Sequence, residues 1–141
     1  MDREQFVIFL DTNAVIYLYT GHENFSERVV KLIDSNDCVI SPIVKLELQY
    51  LFETGRSKKT AAIVLDTLSR EISLSVHSHP LEKIIDAAVE LSWTRDPFDR
   101  LITAQAYSLN RPLITSDRTI LEHYQKAFGR HCFWFKKRRR P

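Results

Sequence analysis

Four acidic residues each close a different apolar segment of the 141-residue chain. They are Asp11, Glu47, Asp99 and Asp117. Burying an ionised carboxylate without a partner is costly, so acids repeated at the ends of core segments need a shared counter-ion. The pattern therefore predicts a site for a hard divalent cation such as Mg²⁺ or Mn²⁺, because these ions prefer oxygen ligands.

Three of these acids also have an explanation that involves no chemistry. Asp11 and Asp117 each precede a predicted helix and can serve as its N-cap. Glu47 interrupts an apolar helix stripe formed with positions 44, 48 and 51, and it can reach water from the margin of that stripe. One shared cation explains all three acids together, whereas the alternative needs a separate reason for each.

The segment around Asp99 reads as a complete helix start. Asp96 can be the N-cap, Pro97 the first helical residue and Asp99 an acid in the first turn. This explanation is compatible with metal binding, because an acid in the first turn can remain ionised and face the sheet edge.

Alternating strands and helices would position these acids. Apolar runs predict strands at residues 6–10, 38–40, 72–76 and 113–115, with a possible edge strand at 132–135. Helical patterns and caps predict helices at residues 13–19, 26–35, 42–55, 60–70, 80–91, 97–109 and 118–128. Such alternation favours an α/β fold with a central, mainly parallel sheet flanked by helices, whose ligands bind beyond the carboxyl ends of the strands.

Composition limits the class of protein. The chain is 44% hydrophobic and 27% charged, which fits one globular domain. Cys38 and Cys132 form no paired motif, so a reducing compartment is expected. No apolar run is long enough to cross a membrane and the first residues are not those of a signal peptide, so we expect a cytoplasmic protein with no membrane association.

The end of the chain is strongly basic. Its five cations leave fifteen positive and eighteen negative charges, a net charge of −3, on residues 1–135. We predict a domain over residues 1–135 and a basic tail over 136–141 that contacts phosphates, with a solvated end of no function as the alternative. The cations are Lys136, Lys137, Arg138, Arg139 and Arg140.

Four segments, taken in order, resemble the successive motifs of the PIN domain, and more narrowly those of VapC-type toxins of toxin–antitoxin pairs. The resemblance covers residues 6–135. The segments are residues 10–13 (LDTN), 41–48 (SPIVKLEL), 95–106 (RDPFDRLITAQA) and 113–117 (LITSD).

The resemblance implies a PIN-like three-layer sandwich that acts as a Mg²⁺- or Mn²⁺-dependent endoribonuclease on an RNA substrate. Its four catalytic acids match Asp11, Glu47, Asp99 and Asp117, with Asp96 as a further candidate ligand. It also implies small polar residues that support the site, and these match Thr12, Asn13, Thr115 and Ser116.

The resemblance further implies a homodimer that a small antitoxin protein inhibits across the acidic groove. The helix predicted at 42–55 gives a physical reason for an interface, because it carries more apolar residues than one core-facing side requires. The surplus residues are Ile43, Leu46, Tyr50 and Phe52.

Three other interpretations stay open on the sequence. A PIN nuclease can process RNA without being a toxin. An acidic-pocket phosphotransfer protein or phosphatase would use Asp11 as a phosphorylated residue, although Asn13 stands where such phosphatases have a second Asp. A non-catalytic RNA-binding module would rely on the basic tail, but the aromatic residues are not spaced as a stacking platform.

Overall fold

The computed structural model describes residues 7–21 and 25–129, which contain one five-stranded sheet. The strand order is β3-β2-β1-β4-β5, and every neighbouring pair is parallel. This confirms the predicted α/β class. The strands are β1 (Val7–Leu10), β2 (Asp37–Ile40), β3 (Ser75–Val76), β4 (Leu113–Ile114) and β5 (Ala127–Phe128).

Seven helices lie in the described parts of the chain. The helix α6 packs against α3 and α5, while α1 packs against α3 and α4. They are α1 (Thr12–Thr20), α2 (Glu27–Ser35), α3 (Pro42–Glu53), α4 (Ala61–Ile72), α5 (Leu81–Val89), α6 (Pro97–Ser108) and α7 (Arg118–His123).

The central strands are apolar along their whole length because the sheet is covered. All four residues of β1 are buried, and both residues of β4 have no exposed surface. Parallel sheets normally carry helices on both faces, which is why their strands lack the alternation of apolar and polar residues. A second, smaller cluster of buried residues lies between α5 and α6 and includes Ile84 and Ala104.

The order of the strands creates a crevice between β1 and β4. The chain proceeds outward from β1 to β2 and β3, and then returns to the other side of β1 to form β4. At such a switch point the connections after the two strands run in opposite directions and leave room for a ligand. Asp11 follows β1 and Thr115 follows β4, so both lie at this crevice.

Two helices that carry site residues begin with strong local signals. The Ser41 hydroxyl accepts a hydrogen bond from the Ile43 amide at 3.1 Å, and Pro42 opens α3. The Asp96 carboxylate accepts one from the Asp99 amide at 3.0 Å, and Pro97 opens α6. Both starts agree with the sequence-based predictions, because a side-chain acceptor and a proline satisfy the first turn of a helix.

The predicted strand at residues 72–76 is mostly wrong. The helix α4 continues to Ile72, and Ser73 ends it in the left-handed conformation with a φ of 58°. Only Ser75 and Val76 pair with β2. An apolar residue such as Ile72 fits a helix face as well as a strand, so the pattern placed this boundary too early.

The predicted helix at residues 118–128 is also wrong beyond His123. The chain leaves the helix at Tyr124, and Ala127–Phe128 forms β5 beside β4. The Thr115 amide donates to the Phe128 carbonyl oxygen at 2.8 Å. The unpaired edge of β4 supplies these partners, which the periodicity of the segment itself does not reveal.

Two sequence-based predictions lie outside the described residues. These are the edge strand at 132–135 and the basic tail at 136–141. Within residues 7–21 and 25–129, no helix combines the length and the apolar character needed to span a bilayer.

Candidate metal centre

Three of the four predicted acids meet at the crevice between β1 and β4. Asp11, Glu47 and Asp99 each offer a carboxylate oxygen, and these three atoms lie within 4.8 Å of one another. The acids come from three separate elements: the end of β1, the middle of α3 and the first turn of α6. The fold therefore brings together charges that are far apart in sequence.

Asp11 is held in place on both of its oxygens and is only 2% exposed. Oδ1 accepts a hydrogen bond from the Thr12 amide at 2.8 Å, and Oδ2 accepts one from the Thr115 hydroxyl at 2.6 Å. Burial raises the pKa of Asp11 to about 6, with the charges of Glu47 and Asp117 adding to it and the hydrogen bonds opposing it. The fold therefore holds the Asp11 carboxylate in one orientation at a buried position where its ionised form is unfavourable.

Glu47 reaches the crevice from the side of α3. Its neighbours Val44 and Leu48 on the same helix face are buried in the core, whereas Glu47 is half-buried. The Thr12 hydroxyl donates a short hydrogen bond to Oε1 of Glu47. Burial raises the pKa of Glu47, and the charge of Asp96 raises it further. The position at the edge of the apolar stripe therefore serves to place a carboxylate in the crevice.

Asp99 is the most strongly affected acid of the group. Burial is the largest cause that raises its pKa to about 8, followed by the charges of Asp11, Asp117, Asp96 and Glu47. All four of these charges, which belong to residues that the structure describes, are carboxylates. In the absence of a cation, Asp99 holds a proton at neutral pH because ionising it would add to an existing cluster of negative charge.

This set of donors fits a hard divalent cation. The three carboxylates supply oxygen atoms, which Mg²⁺ and Mn²⁺ prefer to nitrogen or sulfur. Their mutual repulsion and burial would be relieved by a bound positive charge. Asp11, Glu47 and Asp99 are therefore the residues that would hold the ion.

The predicted supporting residues connect the start of α1, directly after β1, with α3 and with the loop that follows β4. The Thr12 hydroxyl donates a hydrogen bond to Glu47, and the Thr115 hydroxyl donates one to Asp11, as described above. The Asn13 side-chain oxygen accepts a hydrogen bond from the Ser116 amide at 3.1 Å. The Thr115 and Asn13 contacts join the two sides of the switch point, so the position of Asp11 depends on the start of α1 and on the loop after β4.

Asp117 and Asp96 lie beside the group of three and act as helix caps. Oδ1 of Asp117 accepts a hydrogen bond from the Ile120 amide at 2.9 Å, which caps α7. Asp96 caps α6, as its sequence pattern indicated. The charges of both acids nevertheless raise the Asp99 pKa. Their direct role in metal binding remains a prediction.

Arg100 has a structural role that the sequence reasoning missed. Its guanidinium donates to three backbone carbonyl oxygens: Ala88 at 2.7 Å, Val89 at 3.2 Å and Thr94 at 3.3 Å. The side chain therefore holds the end of α5 and the following loop against α6. An arginine directly after an acid resembles a local counter-charge, and its sequence position gives no signal for these more distant carbonyl partners.

Gly129 is a second residue that sequence reasoning missed. A Cβ atom added at this position would lie 1.8 Å from the Thr115 carbonyl oxygen. The close approach fits only a glycine, so directly after β5 the chain can pass close to Thr115, the residue whose hydroxyl donates a hydrogen bond to Asp11. The closeness arises from strand pairing, and a single glycine after an apolar pair does not predict it.

Comparison with known proteins identifies the family. The family model described as the PIN domain matches residues 8–126, most of the chain. The chain belongs to the PIN domain family. The resemblance of the four motifs is thereby confirmed at the level of the domain.

Several solved structures share this PIN fold. One is VapBC2 from Rickettsia felis bound to a promoter DNA fragment. Its TM-score is 0.63 and its sequence identity is 24%, and the match covers 86% of this chain and 96% of that one. A toxin–antitoxin complex from Klebsiella pneumoniae gives 0.61 at 16% identity, covering 87% and 97%. DNA-bound VapBC from Salmonella typhimurium gives 0.56 at 21%, covering 86% and 94%. No curated protein matched the sequence.

Replacing Asp99 with Asn should stabilise the metal-free PIN domain in a pH-dependent manner. The folded state retains the Asp99 proton to about pH 8, whereas the ordinary pKa is 3.8, so stability falls as pH rises between these values. Because Asn does not ionise, the Asp99→Asn melting temperature should exceed that of the parent by several degrees near pH 9. The two should agree near pH 4, as measured by thermal unfolding in EDTA.

Added Mn²⁺ should raise the melting temperature of the parent more than that of Asp99→Asn, because only the parent keeps the full set of ligands. Asp86→Asn, at an exposed position of α5, is the matched control and should follow the parent. A loss of stability in metal-free Asp99→Asn at high pH would contradict the repulsion described here.

Proposed function

We propose that this PIN domain is a metal-dependent endoribonuclease and the toxin of a VapBC-like toxin–antitoxin pair. The observation that supports the nuclease most directly is the meeting of three carboxylates within 4.8 Å at the switch point of the sheet. Clustering acids from three elements destabilises the fold, so stability does not explain the arrangement. The cluster suits a cation that acts on phosphate oxygens.

The side chains of the site would each take a defined part. When bound, Mg²⁺ or Mn²⁺ supplies Lewis-acid polarisation of a phosphodiester and makes water more acidic. Thr115 and the Thr12 amide fix both oxygens of Asp11, so this acid keeps one orientation. The Thr12 hydroxyl orients Glu47, and the Asp99 carboxylate would complete the set of residues that hold the ion.

Phosphotransfer through Asp11 is disfavoured by the same contacts. A carboxylate that becomes phosphorylated must present an oxygen to the phosphodonor. Asp11 is 2% exposed, and each of its oxygens already accepts a hydrogen bond. This geometry suits a metal-ligating carboxylate that is fixed by hydrogen bonds better than a nucleophile that a phosphodonor must reach.

A small antitoxin protein is the partner that we propose. Several of the similar solved structures are toxin–antitoxin complexes, which supports a partner of this kind. The charge of the crevice also supports it, because the acids that surround Asp99 would attract an inserted Arg or Lys. A guanidinium in the crevice would offset the same repulsion that a metal ion offsets, and the enzyme would be inhibited.

We also propose a homodimer formed through α3. On this helix Leu46 is 60% exposed, and Tyr50 and Phe52 are exposed as well. Ile43, in contrast, packs against the main core, so it does not belong to the surplus predicted from the sequence. Leu46 and Tyr50 lie one turn apart on the same side of α3 and form the apolar surface that a second copy would cover, whereas Phe52 faces another direction. A cytoplasmic location, where RNA is the substrate, is part of the same proposal.

Single-stranded RNA should be cleaved in the presence of Mg²⁺ or Mn²⁺ and remain intact in EDTA. Asp11→Asn and Asp99→Asn each keep the side-chain volume but remove a ligand charge. Each should reduce the rate at least about 100-fold, which corresponds to about 3 kcal/mol of transition-state stabilisation. Cleavage of a labelled oligoribonucleotide by purified protein measures this, and Asp86→Asn is the control. Unchanged cleavage by both variants would refute the nuclease.

Light scattering should give twice the 16.5 kDa chain mass at tens of micromolar protein. Leu46→Glu places a charge on the proposed interface and should yield the monomer mass. Leu81→Glu is a closely matched control, because Leu81 lies on α5 and is 61% exposed. The dimer through α3 is wrong if the parent is monomeric, or if both variants dissociate equally.

Expression of the parent should arrest growth, whereas expression of Asp11→Asn should not. A small protein encoded beside this gene should restore growth and purify together with the chain. Growth arrest without rescue by such a neighbour would favour a nuclease that processes RNA in the absence of an antitoxin. The purified protein would still cleave RNA in that case, so the two parts of the proposal are separable.

A further inference from the structure

A cleft of about 410 Å³ opens between α6 and the end of α7, away from the acids. This volume lies within the range of about 300–1,000 Å³ that is usual for ligand sites. Its walls combine aromatic rings with polar groups, and the three acids of the metal centre do not line it. Among the lining residues are Trp93, Thr103, Tyr107, Asn110, His123 and Lys126.

Stacked rings form one wall of the cleft. The rings of Trp93 and His123 lie 4.9 Å apart between centroids, with an angle of 6° between their planes. Nδ1 of His123 is 2.9 Å from the Thr119 carbonyl oxygen, so it carries the hydrogen of that bond and the ring orientation is fixed. Because His123 is exposed, another flat ring can extend this stack.

Polar groups lie beside the rings. The Thr103 hydroxyl is buried and has no hydrogen-bond partner among residues 7–21 and 25–129. Nζ of Lys126 donates to the Asn110 carbonyl oxygen at 3.2 Å, which holds a cation beside an exposed amide side chain. Amides bond the edges of nucleobases, and lysine neutralises phosphates. The combination suits a nucleotide better than an apolar peptide.

The cleft is joined to the metal centre by a single helix. Thr103 and Tyr107 follow Asp99 on α6 by four and eight residues, which is about 6 and 12 Å along the helix axis. A stacked nucleic-acid strand advances roughly 3.4 Å per nucleotide, so the cleft lies within a few nucleotides of the acids. Arg100 also secures the loop that carries Trp93 by bonding the Thr94 carbonyl oxygen.

We propose that this cleft binds an unpaired base of the RNA substrate, a few nucleotides from the bond that is cut. The base extends the stack of Trp93 and His123, with Tyr107 beside it and Lys126 near its phosphate. This inference rests on the proposed ribonuclease function and adds to it a preference for single-stranded RNA, because a paired base is not available for stacking in the cleft.

The test measures binding separately from cleavage. Anisotropy of a fluorescein-labelled RNA is recorded in EDTA with the Asp11→Asn protein, to which cleft substitutions are added. His123→Ala removes the stacking ring, and His123→Phe restores one. We expect about tenfold weaker binding of single-stranded RNA for Ala, and binding close to that of the Asp11→Asn protein for Phe. Tyr107→Ala, at an exposed position of α6, is a second test on a different helix.

A duplex RNA of equal length is the internal control, since its affinity should not change with His123→Ala. An RNA with one abasic nucleotide gives a further check: when the missing base is the one that enters the cleft, His123→Ala should no longer weaken binding. The proposal is overturned if both alanine variants bind single-stranded RNA normally, or if they lose affinity for duplex and single strand alike. Cleavage by protein with intact acids tests the ribonuclease function independently.

Discussion

The rest of the site depends on the repulsion between three clustered carboxylates. Oxygens of Asp11, Glu47 and Asp99 lie within 4.8 Å of one another, and burial raises the pKa of all three acids. Left to themselves, such charges would separate or take up protons. Hydrogen bonds from Thr12 and Thr115 hold two of the acids in place. The fold thus stores an unfavourable interaction that a cation would relieve.

The sheet topology explains why the acids meet where they do. Parallel strands direct all their carboxyl ends to one edge, and the reversal of strand order between β1 and β4 opens that edge. Asp11 enters from β1, and Thr115 enters from β4 to bond it. The Asp99 side chain approaches from the start of α6, where Asp96 satisfies the Asp99 amide and leaves the Asp99 carboxylate available.

The sequence was most informative where the cause is local. The start of α3 at Ser41 and Pro42 needs only its own side chains, and so does the capping of α6 by Asp96. The end of α7 is different, because β5 forms only where β4 offers a free edge. The same reason applies to Arg100, whose partners are carbonyl oxygens at the end of α5 and in the loop that follows it. Contacts between residues that are distant in sequence determine these features, and the local sequence pattern does not reveal such contacts.

The helix α6 unites functions that would otherwise be unrelated. Its first turn carries Asp99, the next residue Arg100 fastens it to α5, and Thr103 and Tyr107 line the cleft one and two turns later. A helix packed on the core moves as a rigid unit, so the distance from cleft to acids is fixed by its rise per residue. A base held in the cleft would therefore set which phosphate reaches the acids. Selection of the cleavage position would then follow from the length of one helix.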